Sequence, residues 1–432
     1  MQAEPPGPPP IASRPRIPRS RRLLTAVIAV MAVAALVTGI RYLSTGDPAT
    51  PSPEADQSAR PDPQAVAAVL AGRARAVRGH DRTAFLATVA SANPAFQAAQ
   101  GRLFDDLAQL PLAGWRQELG APEPLATGPG GATLRVILHY RLRGFDQHDV
   151  TRTEYLSFAR RSGSGWVIVG DGAAQGLRDD PEIWDGGHLT VVRGRHSLVI
   201  GDQAANGELR EIGRRLDAAV PLITGIVGRH WDRGAVALVP ADQARAEALA
   251  GGDQNLSRIA ALATTTQSAA GDGQPGADRI VILPESFATL SALGRSVVLT
   301  HELTHIATGG ARDGRTPIWL IEGLADYAGY KSVRVPVRSA AQELRREVVK
   351  GRLPARLPDR ADFGDAPGRL PQAYEEAWLA CRMVAERYGE PTLVRLYRAA
   401  GAQPESAFRR VLGVDAGEFT AMWRDYLRKE LG

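Results

Sequence analysis

The chain has 432 residues, 44% of them hydrophobic, which is room for two or three domains with real cores. Its net charge of +5 sits within residues 1–42, where six Arg face one Glu, and the remaining 46 basic and 46 acidic residues balance, so the high pI gives no argument for a nucleic-acid partner. The single cysteine, Cys381, excludes an intramolecular disulfide and any cysteine-built zinc site, and its apolar helical setting marks a small core residue.

Residues 1–22, with PPGPPP and then Arg, Pro and Ser, read as a disordered cytoplasmic tail. Residues 23–40, LLTAVIAVMAVAALVTGI, are 18 uncharged residues that would span about 27 Å as a helix, close to a bilayer core. Five Arg precede this run and only Arg41 follows it closely. The positive side stays inside, which predicts a single-pass anchor in the cell membrane with the rest of the chain extracytoplasmic. A cleaved signal peptide is the rival reading, disfavoured by the length of the run and the lack of a clear A-x-A site before Arg41. Residues 41–63, rich in Pro, Ser and Ala, read as a flexible linker. Only Lys331, Lys350 and Lys429 are lysines among 52 basic residues, a usage that suggests a GC-rich bacterial genome.

Residues 64–178 form the first globular segment. Helical periodicity runs over residues 65–90, interrupted at Arg78-Gly79-His80-Asp81, and another helix is expected over Pro94–Leu110. Trp115–Leu119, Thr133–Leu142, Thr151–Phe158 and Gly165–Val169 then read as strands. Helices first and a strand meander after predict an α+β domain with an antiparallel sheet, and this order resembles NTF2-like domains. His80, His139 and His148 stand isolated here and read as structural or solvent-facing.

Residues 179–432 form the second segment. Expected strands are Ser197–Ile200, Val236–Val239, Ile259–Thr264 and Arg279–Leu283. Expected helices are Gly207–Gly228, Ala241–Ala250, Pro284–Leu290, Gly294–Thr308 and Ile318–Tyr330, with Pro317 suited to the first turn of the last. Residues 268–278 are a loop by composition. Everything after Val337 reads as helical except Leu353–Pro371.

The chemistry lies in HELTH, His301–His305, and in WLIEGLADY, Trp319–Tyr327. On a helix His301 and His305 project from one face, where two imidazole nitrogens reach one zinc ion at about 2.0–2.1 Å. Glu302 adjoins the first ligand as a general base for the water that the ion activates. Glu322 is the third ligand that a catalytic zinc site needs. Asp326, one turn further, is placed to accept the free ring N–H of a ligating His. Trp319, Leu320 and Leu324 read as core residues that hold this helix. A surface helix with two solvated histidines is the plain alternative. The longer HExxHxxGxxH form is excluded, since Thr308 and Ala311 stand at its Gly and third His.

HExxH followed by a Glu within ExxxD resembles the gluzincin branch of zinc metallopeptidases. A closer resemblance is to the bacterial peptidase MA-like family, carried by HELTH, by Trp319–Tyr327, by Ala373-Tyr374-Glu375-Glu376-Ala377-Trp378-Leu379 and by Tyr388-Gly389. It covers residues 195–430. Only sixteen residues separate His305 from Glu322, which implies a short helix–helix turn. The resemblance implies a gluzincin-type metallopeptidase domain, a small mixed sheet followed by active-site helices and a helical C-terminal part. It implies one Zn2+ per chain and a peptide or protein substrate. It also implies that Tyr374 donates to the oxyanion, where the residue alone reads equally as a tyrosine packing beside Trp378. It further implies that substrate binds as an added strand along an exposed sheet edge, for which Ile259–Thr264 is the candidate, where the residues alone read equally as an ordinary half-buried strand. No GxMEN-like segment precedes the HELTH helix, which weakens an aminopeptidase reading. Two other classes stay open: a peptidase-like sensor or binding protein with little turnover, and a zinc hydrolase of other acyl or amide bonds.

Overall fold

The computed structural model describes residues 61–120, 125–128, 131–161, 165–252, 256, 259–266, 276–309, 314–364 and 369–432. The expected tail, the expected anchor at 23–40 and the expected linker as far as residue 60 lie outside them, as does most of the 268–278 segment. Among the described residues no helix is long and apolar enough to cross a membrane.

Helix α1 (Pro63–Arg78) begins on Asp62, whose side chain accepts the Gln64 N–H. The predicted break follows: His80 takes a φ of 53°, and Asp81 caps α2 (Arg82–Ala87). Asn93 caps α3 (Pro94–Leu107) in the same way. The strands are β1 (Leu112–Leu119), β2 (Ala126–Gly128), β3 (Gly131–Leu142), β4 (Val150–Arg160) and β5 (Trp166–Asp171). They pair antiparallel in the order β1-β3-β4-β5, with β2 beside the start of β3. Val66 and Leu70 of α1 pack on Leu134, Val136, Leu156, Phe158 and Ile168 of this sheet.

The second sheet holds β6 (Leu189–Arg193), β7 (Ser197–Asp202), β8 (Ala235–Val239), β9 (Ala261–Thr265) and β10 (Asp278–Ile282), in the order β6-β7-β8-β10-β9. The inner three strands are parallel and the two outer ones antiparallel, so the sheet is mixed, as the resemblance implied. Strand β9, which overlaps the candidate edge Ile259–Thr264 but runs one residue further, is an outer strand. Strands β2 and β6 were not expected from the sequence. Helices α4 (Asn206–Val227), α5 (Gln243–Leu249), α6 (Pro284–Thr289), α7 (Ala292–Thr308) and α8 (Ile318–Lys331) accompany the sheet. Six more complete the chain: α9 (Val337–Ala340), α10 (Gln342–Val349), α11 (Leu370–Tyr388), α12 (Glu390–Ala402), α13 (Pro404–Leu412) and α14 (Ala416–Leu431).

Both faces of the second sheet are buried. The two-residue period sends Val199, Ala237, Ile280 and Ile282 into one core with α4, α7 and α8. It sends Leu198, Ile200, Val236, Leu238 and Val281 into another, shared with Phe85, Trp115, Leu138, Tyr140 and Leu142 of the first segment. Arg279 on β10 adds a buried two-pronged ion pair to Asp146, at 2.8 and 3.0 Å.

Candidate metal centre

Helix α7 carries the HELTH residues. Ser291 caps its start by accepting the Gly294 N–H at 3.1 Å, and Gly309 ends it in the left-handed conformation at φ 61°. Helix α8 brings Glu322 and Asp326 opposite. Its Gly323 lets α11 come close, since a Cβ there would lie 2.7 Å from the Cys381 Sγ and closer still to the Ala377 carbonyl. Cys381 is fully buried at this crossing, as its apolar pattern suggested. Trp319, Leu320 and Leu324 are in the core.

The four-residue spacing brings His301 Nε2 and His305 Nε2 to 3.0 Å of each other. The Glu322 Oε2 atom lies 3.2 Å from the first and 3.5 Å from the second. A tetrahedral ion with bonds of about 2.0–2.1 Å needs donor atoms about 3.3–3.4 Å apart, so this triangle has the right size. Glu322 is fully buried, yet neither of its oxygens has a well-directed hydrogen bond. The His301 and His305 ring nitrogens are its near neighbours, at 3.2 and 3.5 Å. A carboxylate so placed costs free energy unless a cation shares it. Among the described residues this is the one group of His, Cys, Asp or Glu with metal-site spacing.

Asp326 Oδ1 lies 2.8 Å from His301 Nδ1. When Nδ1–H donates there, Nε2 keeps its lone pair and faces the cluster. Burial pushes the His301 imidazolium pKa down, but Asp326, Glu322 and Glu302 together hold it well above the ordinary value. Burial pushes Glu322 up, and His305 and His301 outweigh it, leaving the carboxyl at about 2. The negative surroundings that keep a proton on His301 are those a divalent cation would neutralise in its place.

Glu302 is buried on the same helix and accepts the Ala263 N–H of β9 through Oε2 at 2.8 Å. Leu283 N–H bonds the Ala260 carbonyl and Thr266 N–H the Ala277 carbonyl, so residues 261, 263 and 265 turn their amides away from β10. Glu302 therefore meets the open side of the edge strand. Burial raises the Glu302 carboxyl above its ordinary range, against the pull of His301, His305 and the Ala263 amide. The Tyr374 ring lies 6.2 Å from that of His301, and Phe363 meets it edge-on at 5.0 Å. Trp378 packs on Tyr330 at 4.7 Å.

The structure thus gathers His301, Glu302, His305, Glu322, Asp326 and Tyr374 in one buried place. His80 and His148 are exposed, and His139 pairs with Glu118 at 3.5 Å, all outside the cluster. Two contributors carried no sequence signal, the Ala263 amide and Phe363.

No protein-family model matches the chain, and no curated protein matches it. Among solved structures, the chain is similar to a mutant of the M1 zinc metallopeptidase from Deinococcus radiodurans, at 15% identity and a TM-score of 0.34 over 72% of this chain and 70% of that one. The same mutant bound to a Tyr-Ser-Ala substrate is similar at 15% identity and a TM-score of 0.32, over 74% and 70% of the two chains.

Proposed function

We propose that the protein is a zinc metallopeptidase that hydrolyses peptide bonds. The observation that carries this reading is the triangle of His301, His305 and Glu322, with Glu302 beside it on the open edge of β9. His301, His305 and Glu322 would hold the ion, and Asp326 would fix the orientation of His301. When bound, zinc supplies Lewis acidity that polarises a carbonyl and lowers the pKa of water towards about 7. Glu302 takes the proton of the attacking water on a carboxylate oxygen and returns it to the leaving amine. Tyr374 donates its phenolic hydrogen to the oxygen that gains charge. An extended peptide would add along the outer side of β9, antiparallel or parallel to it.

Glu302→Gln keeps the three ligands and removes the base. The expected outcome is unchanged zinc content with peptide turnover lower by about 100-fold or more. Wild-type turnover in that variant sinks the reading of Glu302. A zinc-loaded wild-type chain that cleaves no peptide in a diverse library favours the sensor reading instead. The apolar run Leu23–Ile40 supports a further proposal, that this site works outside a membrane to which the chain is tethered. Protease digestion of intact cells tests it: the second segment is degraded from outside if the proposal holds.

A further inference from the structure

Residues 350–364 form an irregular strap between α10 and α11. Phe363 in this strap is only 2% exposed, and its ring stands at 89° to that of Tyr374. The preceding residue is anchored from three sides. Asp362 Oδ1 accepts from Arg369 Nε at 3.0 Å, and Oδ2 accepts from Arg356 Nη1 at 2.6 Å and from the Asp359 amide at 2.9 Å. Arg369 also grips Glu376 with both Nη atoms, at 2.7 and 2.9 Å, and the Glu376 side chain is fully buried. Glu376 lies two residues after Tyr374 on α11. The strap therefore folds back on the first turns of the helix that carries the tyrosine.

We propose that Phe363 is a positioning residue that fixes the Tyr374 ring at the metal centre, with Asp362, Arg369 and Glu376 as the clamp that holds Phe363. The inference rests on the proposed role of Tyr374. A tyrosine moves about two side-chain bonds: the first swings the hydroxyl oxygen, and the second leaves that oxygen on its axis but turns the ring plane in which the O–H prefers to lie, so both must be held for the hydrogen to meet a reacting oxygen. A buried aromatic edge against the ring blocks its rotation. Other apolar side chains fill the volume without that flat edge.

The test replaces the tyrosines of the full-length chain with 3-fluorotyrosine and follows the fluorine resonances, with Tyr374→Phe identifying that of Tyr374. The unsubstituted chain is expected to show two separate Tyr374 signals, one for each ring orientation. Phe363→Ala merges them into one averaged signal, and Phe363→Leu falls between. Circular dichroism confirms that each variant is folded. If Phe363→Ala does not fold, Asp362→Asn frees the strap with Phe363 in place and carries the same expectation. A folded Phe363→Ala chain with two unchanged signals overturns the proposal, as does an averaged signal in the unsubstituted chain. In turnover assays, Phe363→Ala is expected to lower kcat about tenfold with little change in KM, and to add nothing in a Tyr374→Phe background. Equal losses in both backgrounds overturn the proposal. A Tyr374→Phe variant with full activity sinks the catalytic reading of the tyrosine instead, and the fluorine spectra then decide the strap separately.

Discussion

His301 works at both ring nitrogens: Nε2 faces Glu322 and His305, while Nδ1 is bonded to Asp326. Replacing Asp326 by Asn keeps the shape and removes the charge, so zinc affinity is expected to fall about 10- to 100-fold, read by competition with a chelator. Gly323 sits where α8 and α11 nearly touch. Gly323→Ala must push the helices apart, and a loss of roughly 1–3 kcal/mol in urea unfolding, with lower zinc content, is expected. The gathering of His301, Glu302, His305, Glu322 and Asp326 was legible because helical spacing places each set on one face and a zinc site needs a third ligand to join the two. Ala263 was not, since a backbone amide leaves no trace in residue type. Phe363 was not either, because its contact crosses an irregular strap whose path no periodicity records.

Among the elements, the long periodic helices and inner strands follow their sequence patterns. Expected Gly207–Gly228 is Asn206–Val227, and expected Ile318–Tyr330 is Ile318–Lys331. Strand β2 is three residues long among glycines, and β6 is a short outer strand, so neither builds a pattern to read. Helix α10 shows capping that sequence cannot reveal. Its own cap residue offers no side-chain bond, and Glu375 of α11 accepts the Glu343 and Leu344 amides instead, at 3.2 and 2.6 Å. Burial pushes Glu375 up to about 8, against those two amides. An unfolded glutamate releases its proton near about 4.3, so between these values the folded chain holds the extra proton. Stability contributed by this group is therefore full at low pH and falls as pH rises towards 8. Glu154 and Asp185, both pushed up to about 7 by burial, act in the same direction. Glu375→Gln is expected to be less stable overall but to show a flatter fall between pH 5 and 8, measured as urea midpoints against the parent chain.

At the scale of the whole molecule, the first segment is one of two covers of the second sheet. Composition marks where each segment starts but says nothing of docking, because strands buried on both faces look the same whichever partner covers them. The Arg279–Asp146 pair is a buried polar part of that joint. Asp146→Ala leaves a buried guanidinium without its partner, and a loss of about 3–5 kcal/mol in unfolding free energy is expected, far beyond a surface pair.

The order of that sheet has one more consequence. Strand β9 ends it as an outer strand, and an outer strand's backbone edge is the feature by which unrelated chains stick to each other and aggregate. Glu302 presses a carboxylate against the middle amide of that edge. The residue proposed for chemistry thus also guards solubility, closing the middle of that edge to stray strands.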